Sequence, residues 1–192
     1  MSTAALLLTG GSSRRLGTDK ATLIVSGERL VDRLARVLVT ECDPVLEVGP
    51  GYGTLPAVRE DPPGGGPLAA VAAGATALVA DGHEGPAIVL AVDLPGVTAA
   101  IIGWLLEHPS PDSVVPVVDE ITQVLCARYT ADALATAVRL VRDGARSMHA
   151  LLDAAPVHEA GADEWRSVAV ASAFADVDSR AEAAAAGIDL PG

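Results

Sequence analysis

The chain predicts an α/β fold, with one domain over residues 1–192 built as three αβα layers around a mostly parallel, doubly wound, Rossmann-like sheet. Three observations predict it. The short runs Ala4-Ala5-Leu6-Leu7-Leu8 and Ala87-Ile88-Val89-Leu90-Ala91-Val92 are apolar throughout, as strands buried on both faces are. Segments of helical period alternate with such runs through short links. Half of the 192 residues are hydrophobic, which suffices for one sizeable core in a chain of this length.

The elements follow in order. Ala4–Leu8 reads as a central strand that ends in Thr9-Gly10-Gly11. Ala21–Val25 is a short extended piece broken by Ser26-Gly27. Leu30, Val31, Leu34, Val37 and Leu38 recur at helical spacing with Arg33 and Arg36 between them, which makes an amphipathic helix. Pro44–Val48 reads as a second strand and opens into a long Gly- and Pro-rich stretch, Gly49–Gly66. Irregular segments of that length are uncommon unless they carry function or lack order. Pro67 then suits the first turn of a small-residue helix running to Ala80, apolar nearly all round and therefore expected to be buried.

After the Ala87–Val92 strand come Asp93-Leu94-Pro95 and a helix over Thr98–Glu107. Ser113–Val118 and Gln123–Tyr129 read as strands on either side of Asp119-Glu120, which suggests a hairpin. Helices are expected over Ala131–Arg142 and Arg146–Leu152. The tail adds weak strands at Pro156–Glu159 and Val168–Ala171 and an Ala-rich helix after Asp178.

Composition excludes several partners. The formal net charge is −12, which argues against nucleic acid and against anionic membrane surfaces, since both need a basic face. A small phosphate ligand stays open, because screening over about 8 Å lets a local basic cluster act against the global sign. The apolar stretches around Pro67–Ala80 and Val97–Leu106 fall short of the roughly 20 residues that a membrane span needs. The start, Met1–Leu8, lacks the basic flank of a secretory signal, so a cytoplasmic protein is expected. Cys42 and Cys126 show no Cys-x-x-Cys pairing; they read as two free buried thiols, with a single disulfide as the open alternative.

The densest positive cluster lies in Leu8-Thr9-Gly10-Gly11-Ser12-Ser13-Arg14-Arg15-Leu16-Gly17-Thr18-Asp19-Lys20. Two glycines let backbone N–H groups approach an anion closely, and consecutive N–H groups form an anion nest. Lys20 is the only lysine among 13 basic residues. A compact ammonium suits a phosphate as a point charge, in a chain that otherwise uses arginine. The loop is not a Walker motif, because no Gly-Lys-Ser/Thr follows it at the required spacing. Gly49-Pro50-Gly51-Tyr52-Gly53 lacks the dinucleotide spacing, and Arg14 stands where a nucleophile elbow needs glycine. His83, His108, His149 and His158 show no metal-ligand spacing and read as surface or capping residues. Asp93, directly after a buried strand, can hold Mg²⁺ through its carboxylate or cap the following turn.

The Leu8–Lys20 segment closely resembles the Leu-Ala-Gly-Gly-x-Ser-x-Arg-Met-Gly-x-Asp-Lys signature of the molybdenum cofactor guanylyltransferases and their MobA-like relatives, with Thr9 for Ala and Leu16 for Met. The resemblance extends from Leu6 to about Ala184. It implies the nucleotidyltransferase version of the Rossmann-like sheet, and transfer of GMP from GTP to the phosphate of molybdopterin with release of pyrophosphate. By position, Leu8, Thr9, Gly10, Gly11 and Ser13 would hold the nucleotide, while Arg15 and Lys20 would contact its phosphates and act in catalysis. Asp93 matches the family's Mg²⁺-binding aspartate. Asp61, before a glycine run and Gly66-Pro67-Leu68-Ala69, would contact the nucleoside, and Asp178 of Asp176-Val177-Asp178 would complete the metal site.

Two departures stand out. Gly49 or Pro50 falls where relatives often carry an asparagine, and Asp119-Glu120-Ile121-Thr122-Gln123 replaces the commoner Asp-Gly-x-x-Gln-Pro. The rival readings are cytidylyl or guanylyl transfer to another phosphorylated acceptor, and a non-catalytic nucleotide-binding protein that delivers the cofactor. GTP and molybdopterin are the implied substrates, with room for transient contact with molybdoenzymes or cofactor chaperones.

Overall fold

Strand β1 (Ala4–Leu8) is buried along its whole length, and its alternating side chains feed two separate cores. Ala5 and Leu7 join one; Ala4, Leu6 and Leu8 join the other. That division is what a two-sided strand with period-2 side chains must produce between two helical layers. The computed structural model describes residues 2–10, 19–185 and 187–189.

The chain continues through β2 (Ile24–Val25), β3 (Glu28–Arg29), α1 (Leu30–Glu41), β4 (Val45–Val48), β5 (Ala57–Val58), α2 (Pro67–Ala80) and β6 (Ala87–Ala91). Then come α3 (Ala99–Glu107), β7 (Ser113–Val118), β8 (Ile121–Thr122), β9 (Cys126–Tyr129), α4 (Ala131–Arg142) and α5 (Met148–Ala154). β10 (Val157–Ala160), α6 (Ala162–Trp165), α7 (Arg180–Ala185) and β11 (Ile188–Asp189) complete it. The eight-stranded main sheet runs β10-β7-β9-β6-β1-β4-β5, with β8 beside β7. β1 is parallel to both β4 and β6, β4 to β5, and β7 to β10. Only β9, between β6 and β7, and the short β8 run against their neighbours. β11, β2 and β3 form a separate three-stranded sheet.

Helices cover both faces. α1 and α3 enclose the core that holds Leu34, Ile101 and Trp165; α2, α4 and α5 enclose the one that holds Leu6, Val71 and Leu151. The apolar face expected on α1 is the one buried, through Leu30, Val31, Leu34, Ala35 and Leu38. The all-round apolar α2 lies between sheet and α4, and Gly74 explains how close it sits. A Cβ there would lie 2.7 Å from the Leu6 methyls.

Five elements differ from expectation. The Gly49–Gly66 stretch, expected to be irregular, carries β5, which pairs in parallel with β4. The Ala21–Val25 segment begins as a 3-10 turn over Lys20–Thr22 and becomes strand only at Ile24. The hairpin pairs β7 with Ile121–Thr122, and the strand expected from Gln123 starts at Cys126. Asp119 and Glu120 take φ of 49° and 67°, the left-handed pair that a two-residue turn between antiparallel strands requires. Gln123 N–H then bonds the Pro116 carbonyl at 2.8 Å, leading the chain toward its slot between β6 and β7. The helix expected from Arg146 starts at Met148, because the Ser147 hydroxyl caps it by accepting from His149 N–H. Val168–Ala171 forms no strand: Val168 and Ala169 N–H both turn back to the Trp165 carbonyl, and a 3-10 turn spans Ala171–Phe174.

Candidate active site

The parallel strands β6, β1 and β4 deliver their C-terminal ends to one rim, where ligands bind in such sheets. A cavity of about 810 Å³ opens there. Leu8, Thr9 and Gly10 line it from β1, Gly49 and Pro50 from β4, Ala91, Val92 and Asp93 from β6, and Lys20 from the end of the signature loop. Gly11, Ser13 and Arg15, which the resemblance places against the nucleotide, lie outside the described residues, as do Arg14 and Leu16.

Backbone bonds tie these ends together: Thr9 N–H to the Val48 carbonyl and Val92 N–H to the Leu8 carbonyl, both at 3.0 Å. Val177 N–H reaches the Asp93 carbonyl at 3.0 Å, which brings the late Asp176-Val177-Asp178 segment, remote in sequence, beside β6. Asp178 is held from below by α7, since its N–H and that of Ser179 both donate to Glu182 Oε2, at 2.9 and 2.8 Å. Glu182 N–H in turn donates to Ser179 Oγ at 3.2 Å, which closes a capping box at the start of that helix.

Lys20 Nζ donates to Asp93 Oδ2 at 2.9 Å and to Asp178 Oδ1. Burial works to lower the Lys20 pKa, but the hydrogen bonds and charges of Asp178 and Asp93 together outweigh it and raise it. The ammonium therefore stays charged. Asp93, Asp176 and Asp178 place carboxylate oxygens within 4.8 Å of one another. Partial burial, then the neighbouring charges of Asp178 and Asp93, push the Asp176 carboxyl above its ordinary value. Three crowded carboxylates with few N–H donors are a hard-oxygen donor set that suits a divalent cation such as Mg²⁺ or Mn²⁺. The residues fit such an ion. Asp176, which the sequence presents only as part of a short acidic segment, joins Asp93 and Asp178 through the fold.

At the other end of the cavity Asp61 is exposed and its side chain is not part of the lining, whereas the preceding Glu60 is. Beneath the rim lies a residue that sequence reasoning passed over. Glu47, at the middle of β4, is 0% exposed. Its carboxylate accepts from Thr9 Oγ1 at 2.7 Å, from Tyr52 N at 2.7 Å, from Gly53 N at 2.9 Å and from Gly51 N at 3.1 Å. The signal was present: a carboxylate inside an otherwise apolar strand must find donors or unfold it. Thr9, the departure from the usual Ala, supplies one of them. Its hydroxyl also fills the space beside Gly49, where a Cβ would collide with it and lie 2.8 Å from Gly10 N.

The histidines need a correction. His108 and His158 are not isolated; both ring Nε2 atoms meet Glu164 Oε2, at 3.0 and 2.9 Å. The cluster has metal-like spacing, yet Ser110 N–H donates to His108 Nδ1 at 3.2 Å. That bond fixes Nδ1 as acceptor and leaves the proton on Nε2, the atom a metal would need bare. The cluster is a hydrogen-bonded clasp between α3, β10 and α6. Cys42 and Cys126 are free and buried, as expected, with burial pushing each thiol up to about 12. Among the described residues no helix is long and apolar enough to cross a membrane.

Gly10 at a strand end, the charged Lys20 and Asp93 line one cavity, with Asp176 and Asp178 beside Asp93, an arrangement suited to a nucleotide's phosphates and a divalent cation. The MobA-like NTP transferase domain family matches residues 5–160, and the chain belongs to that family. It is 35% identical to a probable molybdenum cofactor guanylyltransferase of Mycolicibacterium paratuberculosis, over 96% of this chain and 98% of that one. In fold it is similar to the molybdopterin-guanine dinucleotide biosynthesis protein A of Archaeoglobus fulgidus, with a TM-score of 0.77 at 20% identity over 96% and 97% of the two chains. It is also similar to Rv0371C of Mycobacterium tuberculosis, solved as a complex with manganese, with a TM-score of 0.60 at 12% identity over 88% and 98%.

Proposed function

We propose that the protein transfers GMP from GTP to the terminal phosphate of molybdopterin carrying molybdenum, releasing pyrophosphate, and does so in the cytoplasm with Mg²⁺. One observation carries the reading: Lys20 and Asp93 line one cavity with the strand-end residues Leu8, Thr9 and Gly10, and Asp176 and Asp178 stand beside Asp93, close enough to act on one polyphosphate. The names of the curated relatives support the guanylyl donor and the molybdenum cofactor acceptor.

The chemistry is an in-line displacement. An oxygen of the acceptor phosphate forms a bond to the α-phosphorus of GTP as the bond from that phosphorus to the bridging oxygen of the β-phosphate breaks. Little covalent help is required, so positioning and charge neutralisation dominate. Lys20 offers a fixed positive charge to the departing pyrophosphate, and Gly10 lets the backbone approach the phosphates without a Cβ in the way. Arg15 and the N–H groups of Gly11 and Ser13 belong to the same role by their position in the signature. Asp93 with Asp178 and Asp176 would hold the Mg²⁺, which when bound supplies Lewis-acid charge neutralisation and a template for the phosphates. Asp61 is assigned a nucleoside contact on the resemblance alone.

The test is incubation with GTP, Mg²⁺ and molybdenum-loaded cofactor, followed by mass analysis. The expected product is the guanine dinucleotide form of the cofactor, with one pyrophosphate per product. A product only with CTP, or none with any nucleotide, overturns the reading.

A further inference from the structure

The cavity has two chemically different ends, and their separation is fixed by the sheet. Asp93 extends from β6, while Glu60 follows β5, three strand positions away along β6-β1-β4-β5. At roughly 4.8 Å per strand that is about 14 Å, the scale of a nucleotide laid across the rim from its phosphates to the far edge of its base. With the phosphates at Lys20 and Asp93, the base falls toward β4 and β5. The side chains there are few. Gly49 has none, and a side chain at that position is excluded by Thr9 and Gly10. Pro50, Pro63 and Gly64 offer no polar side chain, and Arg59 offers donors only. Asp19 also lines the cavity, but its carboxylate already accepts from the Tyr52 hydroxyl at 2.6 Å, and Glu60 is the acceptor beside β5.

Its carboxylate is also held. Gly64 N–H donates to Glu60 Oε1 at 3.0 Å, and among the described residues that is the one hydrogen bond the carboxylate makes. A Cβ on Gly10 would come within 3.9 Å of the same oxygen, so the group stands over the ends of β1 and β4. The remaining oxygen, and the second lone pair of the held one, are left for a ligand.

Building on the guanylyl reading above, we propose that Glu60 is the specificity-determining residue for the base, accepting hydrogen bonds from N1–H and the 2-amino group of guanine. Guanine presents two adjacent donors on that edge, which a carboxylate accepts as a pair. Adenine and cytosine each present a ring-nitrogen acceptor there and leave the carboxylate facing a lone pair. Glu60 is half-exposed until a base covers it, and a polar group covered while facing the wrong partner discriminates against that base. The Gly64 N–H sharpens the effect of substitution. In Glu60→Gln the amide oxygen keeps that bond, and the amide nitrogen turns into the cavity as a donor against the guanine donors.

The test is calorimetric binding of GTP, inosine triphosphate, ATP and CTP in Mg²⁺ to the wild type and to Glu60→Gln. Inosine triphosphate lacks only the 2-amino group. The wild type should bind GTP about tenfold tighter than inosine triphosphate, and Glu60→Gln should lose roughly tenfold to a hundredfold in GTP affinity, with the ratio of the two nucleotides falling toward one. A purely structural Glu60, acting through the Gly64 turn, would weaken both nucleotides equally and leave the ratio unchanged; that result overturns the proposal while leaving guanylyl transfer intact. A wild type that prefers CTP or ATP overturns both. Should the variant fail to fold, the wild type against inosine and 1-methylguanosine triphosphates decides, and equal affinity for all three guanine-like bases sinks the assignment.

Discussion

Two groups of carboxylates sit within one rim of the sheet, and they are treated in opposite ways. Glu47 is fully enclosed, and four donors from Thr9, Gly51, Tyr52 and Gly53 satisfy its charge from within the chain. Asp93, Asp176 and Asp178 are crowded together, and Lys20 carries positive charge between two of them. The first arrangement is complete and therefore holds structure: it folds the segment after β4 into a cavity wall. The second keeps negative charges closer than they would choose, which costs stability and leaves the oxygens ready for a cation. Self-sufficiency marks scaffold, and unbalanced charge marks function.

That contrast can be broken by experiment. Asp93→Ala and Lys20→Ala should each cut nucleotidyl transfer by about 10³-fold, a scale seen when one group that stabilises transition-state charge is removed, with the melting temperature moved by only a few degrees. Continuous pyrophosphate release and circular dichroism on the same samples measure both; full turnover in Asp93→Ala would remove the metal assignment. Glu47→Ala should do the reverse. It strips partners from three part-buried N–H groups and the buried Thr9 hydroxyl, at a cost of about 3 kcal/mol, a fall of roughly 6–12 °C in Tm. If Glu47→Ala melts like the wild type, the scaffold half of the comparison is wrong.

A third prediction uses the core between the helical layers. Burial raises the Cys126 thiol to about 12, well above its value in an unfolded chain. A group raised on folding contributes stability that is intact below the unfolded pKa and is lost as pH climbs toward the folded one. Cys126 alone should therefore hold its contribution up to about pH 8 and lose on the order of 2 kcal/mol of stability to urea by pH 10.5, a share that Cys126→Ala removes from the slope while Cys42 keeps its own. Identical pH slopes for the two proteins would count against it. The smallest effect is the sharpest for the comparison. Asp176 is exposed, so solvent screening limits its repulsion, and Asp176→Asn should raise stability by no more than about 0.5 kcal/mol at pH 7. The same change should weaken Mg²⁺ or Mn²⁺ binding, read by titrating activity after chelation. A variant less stable than wild type, with unaltered metal affinity, would show that Asp176 is scaffold after all.

Much of this was legible from local signals. The all-apolar character of residues 4–8 and 87–91 announced strands covered on both sides, and the residues just after them announced the rim. The helix over Pro67–Ala80 began and ended where its composition changed. What stayed hidden was pairing. Nothing near Val168 says that its segment meets no sheet edge and coils against Trp165 instead. His108 and His158 lie 50 positions apart in the numbering and meet only because α3 ends beside β10 and α6.

The sequence by itself determined where positive charge is concentrated and where the central strands end, because apolar period and glycine placement act within a few residues. Tertiary structure alone decided that Asp176 joins Asp93 and Asp178, that Glu47 is enclosed, and that Glu60 rather than Asp61 lines the cavity. Those outcomes depend on strand order and on which side chain a turn aims inward. Such facts are set by contacts between segments distant in the chain, and no local pattern encodes them.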